Sequence, residues 1–150
     1  MSGDSREADE TGERLYLAIF EHVAAKSDYL QPKDHKQMLP EAVILATVGS
    51  VIGAILHGIM EGFLDKVGEV LAEKTGGLLK RLRSGKQKPD ELAAIVAEAA
   101  PVLREARTNW DQITAFVALE LTRQGMTFPV SQELARAIVA SLRRELAGRS

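Results

Sequence analysis

The chain has 150 residues, 45% of them hydrophobic and 27% charged, with a net charge of −2 and no cysteine. That composition excludes a disordered or collagen-like chain, and the lack of cysteine excludes disulfides, thiolate metal sites and a cysteine nucleophile, so an intracellular compartment is expected. Aromatic side chains make up only 5%, too few for the Tyr- and Trp-rich strands of a sandwich or barrel, so Leu, Ile, Val and Ala must carry the core.

Residues 1–10 are polar and acidic and have neither a basic n-region nor an apolar h-region, so they are expected to be a disordered tail rather than a secretory signal. Thr11 can cap a first helix running to about Ala25 or Lys26, with Leu15, Ile19, Phe20 and Val23 on one side. Ser27, Asp28 and the Gln31-Pro32 pair stop it, and a short helical turn is expected between Pro32 and Pro40. Pro40 followed by Glu41 is a good helix start, and the helical pattern then continues to about Lys74, before the first strong stop at Gly76-Gly77. Leu78 to Arg83 is expected to add one or two turns, and Ser84 to Pro89 is the clearest loop.

A helix opens near Pro89 with Asp90 and Glu91 in its first turn and Leu92, Ile95, Val96 and Ala99 on its apolar face. Pro101 should kink or restart it, and the continuation carries Val102, Leu103, Trp110, Ile113, Phe116, Val117 and Leu121 to Gly125. Ser131 caps a last amphipathic helix through Leu134, Ile138, Leu142 and Leu146. No segment alternates at the strand period. The expected fold is all-α: a single-domain bundle of five or six helices over residues 11–150, with halves at 11–84 and 89–148 and a Gly-rich central helix or hairpin.

Ala42 to Met60 holds no charged residue, and at about 1.5 Å per residue it is roughly 28 Å long, close to the hydrocarbon thickness of a bilayer. Three glycines, Thr47, Ser50 and His57 dilute it, so membrane insertion would be marginal. Small residues recur every fourth position, at Ala42, Ala46, Ser50, Ala54, Gly58 and Gly62, and Gly49 and Gly53 form a second such pair. A row at i, i+4 is a ridge line of the helix, and stripping its side chains leaves a groove that another backbone can approach. Ala46, Gly49, Ser50, Gly53, Ala54, Gly58 and Gly62 are therefore the candidate helix-packing groove. An apolar segment concealed in a soluble bundle until it inserts resembles, in architecture alone and over about residues 41–83, the pore-forming colicins and the cell-death Bcl-2 class.

Beyond the apolar run, Phe63, Leu64, Val67, Val70, Leu71, Leu78 and Leu82 gather on one side as an amphipathic face, opposite an acidic row at Glu61, Asp65, Glu69 and Glu73. A single helix from Pro40 to Lys74 would be roughly 50 Å long, more than the ~40 Å diameter of a domain this size, so it must break at Gly58 or Gly62 or protrude. Lys80, Arg81, Arg83, Lys86 and Lys88 form a basic island with no acid, a candidate contact for anionic lipid or a protein partner.

Phosphate loops, GxGxxG, HExxH and nucleophile-elbow motifs are all missing, and His22, His35 and His57 lie on three separate segments, so neither a catalytic constellation, a metal site nor a cofactor is expected. His57 shares a side with Gly49 and Gly53, where protonation would oppose burial. Arg123, Arg136, Arg143, Arg144 and Arg149 suggest helix-turn-helix, but the connection from Gly125 to Val130 reads as too long for its tight turn and the net charge is negative, so no nucleic acid is expected.

These features lead to a non-enzymatic protein that self-associates through a glycine-zipper helix as a membrane-perturbing or pore-forming unit. Its expected partners are other copies of itself and an anionic membrane, reached from the cytoplasm at the inner face. The alternative is a soluble interaction module, adaptor or regulatory, with the Gly-rich helix buried in its core and a protein partner.

Overall fold

Six α-helices and one short 3-10 turn make up the described part of the chain, which contains no strand: α1 (Ser2–Ala25), α2 (Pro40–Gly62), α3 (Gly68–Arg83), α4 (Pro89–Glu105), α5 (Trp110–Arg123) and α6 (Phe128–Ala147). The structure is a computed structural model and describes residues 2–30, 40–62, 68–83, 88–105 and 110–147. The fold is an all-α bundle, as the lack of strand periodicity and of aromatic residues requires. The short helix expected between Pro32 and Pro40 lies outside the described residues.

α1 starts at Ser2 rather than at a Thr11 cap, so residues 2–10 are helical instead of a disordered tail. Arg6, Glu7, Ala8 and Glu10 have favourable intrinsic helix propensity, so the sequence before Thr11 can continue the helix. Thr11 is buried inside the helix, where its hydroxyl accepts a hydrogen bond from Arg14 at 3.4 Å. The expected apolar side is correct: Leu15, Ile19 and Val23 are fully buried.

α2 ends at Gly62, one of the two sites where its length demanded a break, and α3 folds back against it. α3 runs through Gly76-Gly77, which does not stop it. Two interior glycines cost about 2 kcal/mol together relative to alanine. Burying Leu78 and Leu79, 3% and 6% exposed, contributes about 1.5–3 kcal/mol each and outweighs that cost.

The same reasoning explains Pro101, which lies inside a continuous α4 and does not restart it. An interior proline costs about 3 kcal/mol. Here its ring is exposed while Ala99, Ala100, Val102 and Leu103 around it are all buried, so the helix is held in place from its inner face. The expected single continuation to Gly125 is two helices, because α4 ends at Glu105 and α5 begins at Trp110.

Gly125 closes α5 as expected. Its φ of 106° is left-handed, its N–H donates to the Thr122 carbonyl at 3.0 Å, and the Met126 N–H donates to the Leu121 carbonyl at 3.2 Å. These are the paired bonds of a Schellman cap, and the accompanying apolar contact is supplied by Met126 and Leu121, both buried. α6 begins at Phe128, three residues before Ser131, because the Thr127 carbonyl already accepts the Ser131 N–H at 2.9 Å. Pro129 fits this first turn, where its missing N–H would have had no helical partner. Ser131 is fully buried, its hydroxyl 3.5 Å from the Met126 carbonyl.

The buried residues form one cluster to which all six helices contribute. α1 packs on α4, α6 and α2, while α2 lies against α5, α3, α1 and α4 and is the most centrally placed helix.

Candidate functional site

The small residues of α2 are met by different neighbours. A Cβ added to Gly49 would lie 3.9 Å from Leu92 Cδ2 on α4, and one on Gly53 would lie 3.2 Å from Leu82 Cδ2 on α3. On Gly58 it would lie 2.9 Å from Ile113 Cγ1 and 3.0 Å from Ile113 Cα on α5. Nearer the start of α2, Gln124 Nε2 donates to Ser50 Oγ at 3.3 Å, so Ser50 and Gly58 border the two ends of α5 and the helices run antiparallel. Ala54 between them is buried, Ala46 is exposed, and Gly62 ends the helix. The candidate groove is thus divided: Gly49 faces α4, Gly53 faces α3 and Gly58 faces α5, while Ser50 is bonded to Gln124 just beyond the end of α5.

Thr47, the polar group deepest in the apolar run at 1% exposed, donates to the Val43 carbonyl at 2.9 Å, so it places no unsatisfied hydroxyl in the core. His57 is exposed rather than buried. The stretch Glu41–Glu61 is long and apolar enough to cross a membrane, with a mean hydropathy of 2.1, and half of its apolar window is buried inside the bundle.

Of the expected amphipathic face, Leu78 is buried and Leu82 half-buried, Val70 and Leu71 lie on α3, and Phe63, Leu64 and Val67 fall outside the described residues. Of the acidic row, Glu61 belongs to α2, Glu69 and Glu73 belong to α3, and Asp65 lies outside the described residues, so the row does not lie along one helix. In the basic island, Lys80, Arg81 and Lys88 are exposed, the side chain of Arg83 is outside the described set, and so is Lys86. Arg81 also donates to Glu98, an exposed ion pair that ties α3 to α4.

The C-terminal arginines are in part engaged within the bundle. Arg143 lies over the Trp110 ring at 5.7 Å, and Arg144 donates to Ser141 Oγ at 3.2 Å. Ser141 Oγ also pairs with His22 Nε2 at 2.7 Å, joining α6 to α1. Arg123 and Arg136 are exposed, and Arg149 lies outside the described residues. The turn between α5 and α6 is residues 124–127, shorter than the expected connection because α6 starts at Phe128. A four-residue turn is short enough for helix-turn-helix, so only the negative net charge stands against nucleic acid.

Among the described residues no group of three or more His, Cys, Asp or Glu side chains is placed to hold a metal ion. Comparison with family models, curated proteins and solved structures gave no match for this chain.

Among the described helical glycines the tightest surroundings are those of Gly12, outside the candidate groove. A Cβ on Gly12 would fall 2.4 Å from Ala97 Cβ and 2.6 Å from the Ala93 carbonyl oxygen, so α1 and α4 meet backbone to backbone. Gly12 belongs to the apolar side of α1, at i, i+3, i+4 and i+7 with Leu15, Tyr16 and Ile19, and Ala93 and Ala97 form an i, i+4 pair on α4. A glycine on an apolar face opposite a small-residue pair was the available signal.

Proposed function

We propose that this chain is a helical protein–protein interaction module, non-enzymatic and cytoplasmic, in which the Gly-rich α2 is a core element. The observation that carries this reading is the contact of Gly58 with Ile113: the tightest point of the supposed zipper is occupied from within, by α5. A groove already filled by the chain's own helices is not free to mate with a second copy unless the bundle opens. Opening it would expose Ile113, Val117 and Leu121, all fully buried, at about 1.5–3 kcal/mol each.

A second reading has its own support. The hydropathy and length of Glu41–Glu61 favour a protein that releases α2 into an anionic membrane and self-associates there, with Lys80, Arg81 and Lys88 at the headgroups.

Light scattering with vesicle flotation and dye release separates the two. The module reading expects a monomer that neither floats nor releases dye from anionic vesicles between about pH 5 and 7.4. Flotation with dye release, abolished by Gly53→Leu in a folded variant, would overturn it in favour of the membrane reading.

A further inference from the structure

One turn beyond the Gly12 crossing, α1 and α4 border a cleft of about 280 Å³. That is just below the ~300–1,000 Å³ of pockets that enclose drug-sized ligands, and it suits a single long side chain. Its walls are apolar, from Leu17 on α1 and Pro89, Ala93 and Ala94 on α4. Leu17 is 45% exposed, one of the few large apolar side chains left at the surface.

Two carboxylates, Glu13 and Asp90, also line the cleft; both are exposed, and no base lines it among the described residues. Acids alone would be ordinary solvated surface. The distinguishing observation is Tyr16, which also lines the cleft: it is only 6% exposed, and its hydroxyl makes no hydrogen bond among the described residues. Burial, and secondarily the negative charge of Asp90, push its phenol above the usual 10.0. The cleft therefore offers an apolar wall, two carboxylates with no base beside them among the described residues, and a phenol hydroxyl that no described protein group bonds.

We infer that this cleft is a docking site for a lysine side chain of a partner polypeptide, its stem along Leu17 and Ala93 and its ammonium held by Glu13, Asp90 and the Tyr16 hydroxyl. Three acceptors from separate residues match an ammonium, which has three donors and no acceptor, better than the planar fork of a guanidinium. The stem adds apolar burial that a simple cation would lack. This assignment rests on the interaction-module reading and gives it a partner chemistry.

The test is a titration of the 15N-labelled chain, followed by amide chemical shifts, with four probes: n-hexylammonium, n-hexanol, a short designed helical peptide bearing one lysine, and the same peptide with norleucine there. The lysine peptide should shift amides of residues 13–17 and 89–97, and norleucine or hexanol should bind at least about tenfold more weakly. Glu13→Gln combined with Asp90→Asn, both at exposed positions, should weaken the lysine peptide by about tenfold or more with an unchanged helical spectrum, and Tyr16→Phe should weaken it less. Equal binding of the charged and uncharged probes, or no shift up to about 10 mM hexylammonium, overturns the proposal. Hexylammonium binding as tightly as the peptide overturns the polypeptide partner and assigns the cleft to free amines. A chain that stays monomeric and off vesicles but shows no shift loses the cleft alone, whereas one that enters vesicles loses the module reading.

Discussion

Where α1 crosses α4, a single glycine faces the backbone of its neighbour, whereas along α2 Gly49, Gly53 and Gly58 are met by residues of three different helices. The α2 glycines form a conspicuous repeat and Gly12 forms none, yet the shorter distance is at Gly12. Repetition of small residues marks a surface that something can approach. What approaches is set by the partner, and the small pair Ala93 and Ala97 opposite Gly12 lets a backbone carbonyl come nearer than the Ile113 backbone comes to Gly58.

Substitutions can break this comparison. Gly12→Ala should cost about 2–3 kcal/mol, the upper part of the overpacking range, because a backbone carbonyl and a helical Cβ cannot swing aside. Urea denaturation monitored by circular dichroism would measure it, and a loss under about 0.5 kcal/mol would show that the two helices slide apart freely. In the opposite direction, Gly76→Ala with Gly77→Ala should raise stability by about 2 kcal/mol, since neither new methyl would meet any atom within 4 Å and each removes a helix-interior glycine. A double variant no more stable than the parent would mean that α3 needs those glycines for something besides its helix.

Within α2 the glycines differ in what they meet. Gly58→Ala should destabilise by about 1 kcal/mol, as the clash with Ile113 exceeds the gain in helix propensity. Gly53→Ala should be neutral within about 0.5 kcal/mol, because the atom in its way is the mobile end of Leu82. Equal effects at the two positions would restore the idea of one uniform groove.

The smallest expected effect concerns Tyr16. Its folded-state value is raised, so the native state holds the phenolic proton more tightly than the unfolded chain. The associated stability is intact below about pH 10 and is lost as pH rises through the folded value. Tyr16→Phe should flatten that decline, measurable as a shallower loss of melting temperature in alkaline buffer.

What the residues revealed in advance follows physical lines. The fold class and the start of α2 were legible, because Pro40-Glu41 acts locally and the shortage of aromatics acts on the whole chain. The break at Gly62 was legible only as a length argument, as the helix had to end where a domain of this size ends. Gly76-Gly77 and Pro101 misled because their local costs, about 2–3 kcal/mol, are smaller than the burial of Leu78, Leu79, Val102 and Leu103, which depends on neighbours far away in sequence. The cleft was invisible for the same reason. Glu13 and Tyr16 are separated from Asp90 by more than seventy positions, and only the crossing at Gly12 brings them together.

The bond between His22 and Ser141 spans 119 positions, and the ion pair between Arg14 and Glu145, at 3.4 Å, closes the same seam. At roughly 5–20 residues per second, synthesis of the intervening chain takes about 6–24 s. For that interval α1 has no α6 to rest against, and Leu15, Ile19 and Val23 are only partly sheltered. During synthesis α1 is therefore vulnerable, and its safety depends on how soon α2 and α4 emerge to shield it.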